Sequence, residues 1–173
     1  MRKFIETEVR SAEFSIERMT EFDLAQVVEL EELTGLSRWG LIAYDRELRE
    51  NSSAIMLVAR PRLLAGESGP VIGFLCSNVV LDEWHINNVA THPDHRRRGV
   101  AWELIEQGRE LAVRTGAVFG LLEVRATNHA AQLLYQKLGF RIMGRRPCYY
   151  AHPSEDAIVL RMGLRDTARG EGG

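Results

Sequence analysis

Three stretches of the chain bring together residue types that could do chemistry. Arg96-Arg97-Arg98-Gly99-Val100-Ala101 stands where a strand-like run gives way to a helical one. The first N–H groups of a helix lack internal acceptors and sit at the positive end of its dipole, so such a turn can hold phosphate. Gly99 and Ala101 are small enough for oxygen atoms to approach the backbone, and the arginines add charge around them. A solvated basic loop would look the same on this stretch alone. The missing Gly-Lys-Ser/Thr ending excludes a Walker-type loop, and the missing GxGxxG excludes a dinucleotide fingerprint.

Glu123 interrupts the apolar run Gly120-Leu121-Leu122-Glu123-Val124. A carboxylate in such company has either a partner or a task. Burial there is expected to raise its pKa towards useful basicity near neutral pH. A salt bridge to Arg125 or another arginine explains it as well, since residues 123 and 125 share a strand face. Tyr135, in LLYQKLGF, could protonate a leaving group or simply pack, because Leu134 and Leu138 give that helix a buried face. The five histidines show no metal-ligand spacing, and Cys76 and Cys148 form no CxxC pair, so no metal is expected. The two cysteines read as free thiols of a reducing compartment.

Periodicity gives the elements around these residues. Alternation from Phe14 reads as a strand, and Thr20 as the cap of a helix carrying Leu24, Val27, Val28 and Leu30 at helical spacing. A second helix is expected from Trp39 to Glu50, entered at Ser37. Ile55–Ala59 and Val71–Val80 form a hairpin around a turn containing Pro and Gly, and Trp84–Thr91 extends the meander. A long helix from Val100 to Thr115 is closed by Gly116, a strand runs from Val118 to Val124, and a helix begins at Asn128 and ends at Gly139. Phe140–Tyr150 and Asp156–Met162 read as a closing hairpin. The sum is a mixed α/β sheet with helices on both faces.

With 173 residues, 45% of them hydrophobic, the chain can build one sizeable core, so residues 1–173 are expected to be a single domain. The folded core is expected from 14 to 164, with 1–13 and 165–173 loose. Twenty-two basic and 24 acidic residues give a net charge of -2, which supplies no global field for nucleic acid or anionic lipid. No run reaches the roughly 20 apolar residues of a membrane span, and the charged start carries no signal peptide. A soluble cytoplasmic protein is the expectation.

Arg96, Gly99 and Ala101 fit RxxGxG/A, and in this the turn resembles the pyrophosphate motif of the GNAT acetyltransferase superfamily. Ala101 stands where many members have Gly. NNVATHPDHRRRGVA is similar to that superfamily's strand-to-loop passage, LLEVRATNHAAQLLYQKLGF to its next strand and helix, and RRPCYY followed by EDAIVLRM to its closing hairpin. The last three segments most resemble its ribosomal-protein alanine N-acetyltransferase (RimI) branch. The likeness spans about residues 14–164 and is weakest before Val71.

The resemblance implies a mostly antiparallel sheet of about seven strands, splayed between the strands ending near Thr91 and Ala126, with acetyl-CoA in the splay. It implies that Asn88, Val89, Ala90 and Thr91 flank the acetyl group and pantetheine, and that Arg96, Arg97, Arg98, Gly99, Val100 and Ala101 hold the pyrophosphate. Asn128 would hydrogen-bond the pantetheine arm, Glu123 would be the general base, acting through a water, and Tyr135 the general acid. Trp39, Tyr149 and Tyr150 would close over the acceptor, the N-terminal α-amine of a protein and, by the same likeness, of a small-subunit ribosomal protein. A monomer or weak dimer is expected. At pH 7 an α-amine with a pKa near 8 is about 10% neutral and a lysine near 10.4 about 0.04%, so the α-amine asks less of a base. Two alternatives stay open. The poorly matched stretch Leu33–Tyr44 allows a lysine or small amine as acceptor, and a non-catalytic acyl-CoA-binding module would keep the fold but need neither Glu123 nor Tyr135.

Overall fold

A computed structural model describes residues 13–36, 38–63 and 69–164. Most of the two ends expected to be loose, and the expected helix entry at Ser37, lie outside the described residues. Strands Phe14–Arg18 (β1), Ala54–Pro61 (β2), Gly73–Val80 (β3), Glu83–Thr91 (β4), Phe119–Arg125 (β5), Arg141–Ala151 (β6) and Ser154–Gly163 (β7) form one sheet. Its order is β1-β2-β3-β4-β5-β7-β6, antiparallel throughout except for the parallel pair β4 and β5. Helices Leu24–Thr34 (α1), Gly40–Glu50 (α2), Val100–Arg114 (α3) and His129–Lys137 (α4) complete the fold.

The expected mixed, seven-stranded sheet is therefore present, with two local differences. Glu21–Asp23 is a 3-10 turn ahead of α1. There Thr20 is the N-cap, and the Asp23 carboxylate three residues on accepts the Thr20 N–H at 2.7 Å and its hydroxyl at 2.9 Å. A second 3-10 turn, Pro93–His95, leads into α3. In the closing hairpin it is β7, the later strand, that lies against β5, which leaves β6 at the edge. Arg141, Arg145, Arg146 and Pro147 blunt that edge against pairing with another chain.

Two apolar layers show where the helices lie. Ile55, Leu57 and Ala59 of β2 pack with Leu75, Trp84, Leu122 and Leu160 against α3 and α4, while Met56 and Val58 pack with Phe74, Cys76 and Ala90 against α1 and α2. Strands buried on both faces read as near-continuous apolar runs, which is why β2 and β3 alternate poorly in sequence. Gly108 brings α3 down onto the sheet: a Cβ there would come 2.5 Å from Leu75 Cδ2 and 2.8 Å from Trp84 Cζ2. Gly73 does the same for the start of α3, where a Cβ would stand 2.7 Å from Val100 Cγ1 and 3.0 Å from the Ala90 carbonyl oxygen.

The pairing of β3 with β4 slips by one residue between Cys76 and Ser77, leaving Asn87 as an extra residue on β4. A bulge of this kind reverses the facing of the residues beyond it. Trp84 and Ile86 point into the α3 layer, whereas Asn88 and Ala90, past the bulge, point to the α1–α2 side.

Candidate active site

Strands β4 and β5 pair only from Glu83 to Ile86 and from Phe119 to Leu122, although β4 runs on to Thr91 and β5 to Arg125. Past Ile86 the two strands part. The β4 backbone groups of residues 87–91 that point away from β3 have no strand to pair with, and buried backbone polar groups need partners. Thr91 Oγ1 is buried there with no hydrogen-bond partner. Both features suit a ligand that carries amides into the opening.

At the end of β4, Arg97 (φ 63) and Gly99 (φ 86) take left-handed backbone conformations on either side of Arg98. Gly99 N-caps α3 without any side-chain cap, so the first-turn N–H groups of a 15-residue helix are offered outward. Gly99 is needed for this turn, since a Cβ at positive φ is strained. Asn128 N-caps α4, its Oδ1 accepting the Ala131 N–H at 3.1 Å, which leaves its amide nitrogen as the group able to donate to a ligand.

Glu123 lies on the α1–α2 side of β5, because Leu122 and Val124 point into the α3–α4 layer. Its apolar sequence neighbours therefore belong to the other face, and Glu123 itself is partly exposed. The side chain is 28% exposed and pairs with Arg146, whose Nη2 stands 3.2 Å from Oε1. Arg125, the nearer arginine in sequence, turns instead to Glu155 at 3.3 Å and stacks 4.2 Å over the Tyr150 ring.

Tyr135 belongs to the opposite layer, edge-on to Phe140 at 5.8 Å. Burial, and then the neighbouring Tyr150, pushes its phenol above the ordinary value of 10.0, so it keeps its proton at neutral pH. Tyr149 and Tyr150 meet edge to face at 5.1 Å. The Tyr150 phenol is pushed up to about 12, first by burial and next by Tyr149, with Arg125 opposing and Glu123 adding a smaller push. Tyr150 thus interacts electrostatically with both Tyr135 and Glu123, which lie on opposite faces of the sheet.

On the β4 side Asn88, Tyr44 and Glu31 are buried. Glu31 accepts the N–H of Trp39 at 2.8 Å, the N–H of Gly40 at 3.1 Å and the Tyr44 hydroxyl at 2.8 Å. The Tyr44 oxygen in turn accepts from Asn88 Nδ2 at 2.9 Å. One buried carboxylate thus caps α2, fixes Trp39 and ties the α1–α2 loop to β4. The sequence held a sign of it: Leu24, Val27 and Glu31 share one helix face, so Glu31 occupies a core position. The contacts of Arg146 and Asp156 come from cross-strand pairing that no local pattern reveals.

Among the described residues no group of three His, Cys, Asp or Glu side chains could hold a metal, and no helix is long and apolar enough to cross a membrane. Cys76 and Cys148 are free.

An open seven-stranded α/β sheet, parted beside an uncapped helix start, defines an acyl-CoA-dependent transferase class. Residues 24–140 match the acetyltransferase (GNAT) family, and the chain belongs to it: an N-acetyltransferase that takes its acetyl group from acetyl-CoA. A Bacillus subtilis protein provisionally named ribosomal protein bS18-alanine N-acetyltransferase is 33% identical over 138 residues, 80% of this chain and 87% of that one. The Escherichia coli ribosomal protein bS18-alanine N-acetyltransferase is 37% identical over 98 residues, 56% of this chain and 66% of that protein. The crystal structure of the Escherichia coli ribosomal-protein-S18-alanine N-acetyltransferase superposes with a TM-score of 0.75 at 25% identity, over 92% of this chain and 99% of that one.

Proposed function

We propose that the chain acetylates the N-terminal α-amine of a protein in the cytoplasm, with Glu123 as general base and Tyr135 as general acid. The observation behind this reading is the parted sheet, with a carboxylate on one face of β5 and a protonated phenol in the layer on the other. The free edge of Asn88, Val89 and Ala90, with Thr91, would hold the thioester and pantetheine, and a backbone N–H there would polarise the reacting carbonyl. Arg96, Arg97, Arg98, Gly99, Val100 and Ala101 would take the pyrophosphate at the start of α3, and the Asn128 amide nitrogen the pantetheine arm.

The chemistry then needs the nitrogen to lose two protons and the sulfur to gain one. Glu123, through a water, removes a proton from the acceptor ammonium; the freed nitrogen attacks the thioester carbonyl. The carbon–sulfur bond breaks, the departing thiolate receives the proton that Tyr135 has kept, and the second proton of the attacking nitrogen is lost to leave the neutral amide and restore the phenol. Trp39, Tyr149 and Tyr150 would enclose the first residues of the acceptor. The names of the relatives point to an N-terminal alanine of small-subunit ribosomal protein bS18 as that acceptor.

Short peptides beginning with Ala, Ser or Met, each with an internal lysine and each also made with a blocked N-terminus, test this by mass spectrometry. Acetyl on the free N-terminus alone, lost on blocking, is the expected result. Acetylation of the lysine in blocked peptides would transfer the activity to side-chain amines. No turnover with acetyl-CoA still bound would favour a binding module.

A further inference from the structure

The registers of β5, β7 and β6 set Glu123, Val159 and Gly144 abreast, and two residues along set Arg125, Ala157 and Arg146 abreast. Side chains two apart share a face, so Arg146 is the diagonal neighbour of Glu123 across β7. Arg146 Nη2 stands 3.2 Å from Glu123 Oε1, and its guanidinium also lies 5.6 Å from the centre of the Tyr149 ring.

The backbone carrying Arg146 is held in place while its side chain is half exposed. Directly after it the β6–β7 register breaks, and Asp156 clamps the irregular stretch by accepting Arg145 Nε at 2.6 Å and the Cys148 N–H at 2.9 Å. The Arg146 side chain itself is 56% exposed. Among the described residues its carboxylate partner is Glu123, whereas Arg125 on the same face is held by Glu155 and the carbonyls of His152 and Pro153.

We propose that Arg146 is a positioning residue that occupies Glu123 between turnovers, and that an acceptor ammonium engages Glu123 by displacing it. This rests on the reading of Glu123 as the base. A half-exposed ion pair of this kind is weak, so one cation can exchange for another at little cost. The pair holds the carboxylate in position in the absence of acceptor and yields to a second positive charge. A neutral molecule has no such means of entry.

Steady-state kinetics on Arg146→Ala and Arg146→Lys, with a free-N-terminus peptide and acetyl-CoA varied in turn, test the proposal. Removing the competitor lowers the peptide KM about two- to fivefold, the range that such an ion pair supports. The acetyl-CoA KM stays put, and Arg146→Lys returns the peptide KM towards wild type. Millimolar guanidinium then competes with peptide in Arg146→Ala more strongly than in wild type. An unchanged peptide KM overturns the proposal, and a raised one does too, because Arg146 would then be holding the acceptor. Glu123→Gln assayed alongside separates the two failures: if it retains wild-type turnover, the base reading falls and this inference with it. If it is inactive while the Arg146 variants show no KM effect, only the displacement of Arg146 is refuted.

Discussion

Asn88 on β4 and Glu123 on β5 flank the same opening on the same side of the sheet, yet their polar surroundings differ in kind. Asn88 ends a closed chain through Tyr44 to Glu31 in which every link is buried and hydrogen-bonded. Glu123 holds one arginine at the edge of solvent, and the neighbouring pairs Arg125–Glu155 and Arg145–Asp156 are likewise partly open. A buried network loses the full desolvation energy of its members when broken, whereas exposed pairs are worth at most about 1 kcal/mol. The β4 wall is thus built to stay fixed for a cosubstrate that is always the same. The β5–β7–β6 wall is built from contacts that an arriving chain can exchange.

The sharpest way to break this contrast is Glu31→Ala. It strands the Tyr44 hydroxyl and two N–H groups, and should cost on the order of 3 kcal/mol. For a chain of this size that is roughly 6–12 °C in the thermal midpoint. A loss below about 1 kcal/mol would put the two walls on an equal footing. Tyr135→Phe comes next: kcat should fall about 100-fold with the acetyl-CoA KM little changed, read from initial rates. Gly99→Ala puts a Cβ on a backbone at φ 86, a strain of about 1–2 kcal/mol that the turn relieves by losing its shape. The acetyl-CoA KM should rise about fivefold or more while the peptide KM holds.

The smallest effect is one of pH on the hairpin. Bonds from the Thr127 hydroxyl and N–H hold Glu155 below its ordinary 4.5, and the Cys148 N–H, then Arg145, hold Asp156 below 3.8. Carboxyls with lowered folded pKa values stabilise above their unfolded pKa and stop doing so as pH falls through the folded one. Amide protection at Thr127 and Cys148 should therefore hold from about pH 7 to about pH 5 and decline below about pH 4. Protection at Trp39 and Gly40 that declined in step would contradict the division between the walls.

Much of the frame was legible because periodicity and punctuation are local. Gly116 and Gly139 were readable as helix ends and do take positive φ, 99 and 101. RRRGVA was readable as a helix entry because its glycine and arginines are contiguous. The illegible features depend on register. Nothing near Asn87 announces a bulge, since the extra residue exists only relative to β3. Glu123 looked buried because Leu122 and Val124 are apolar, but alternation sends those two to the other face. Arg146 meets it only because β7 inserts between their strands, an order that a closing hairpin leaves undetermined.

The most direct test of the account is kcat for a peptide with a free N-terminal alanine, measured for wild type and Glu123→Gln alongside acetyl-CoA binding by the same preparations. The account predicts a loss of about 10²–10⁴-fold in turnover with the acetyl-CoA dissociation constant unchanged. Turnover within about tenfold of wild type, well short of the loss that removing a general base brings, would contradict it.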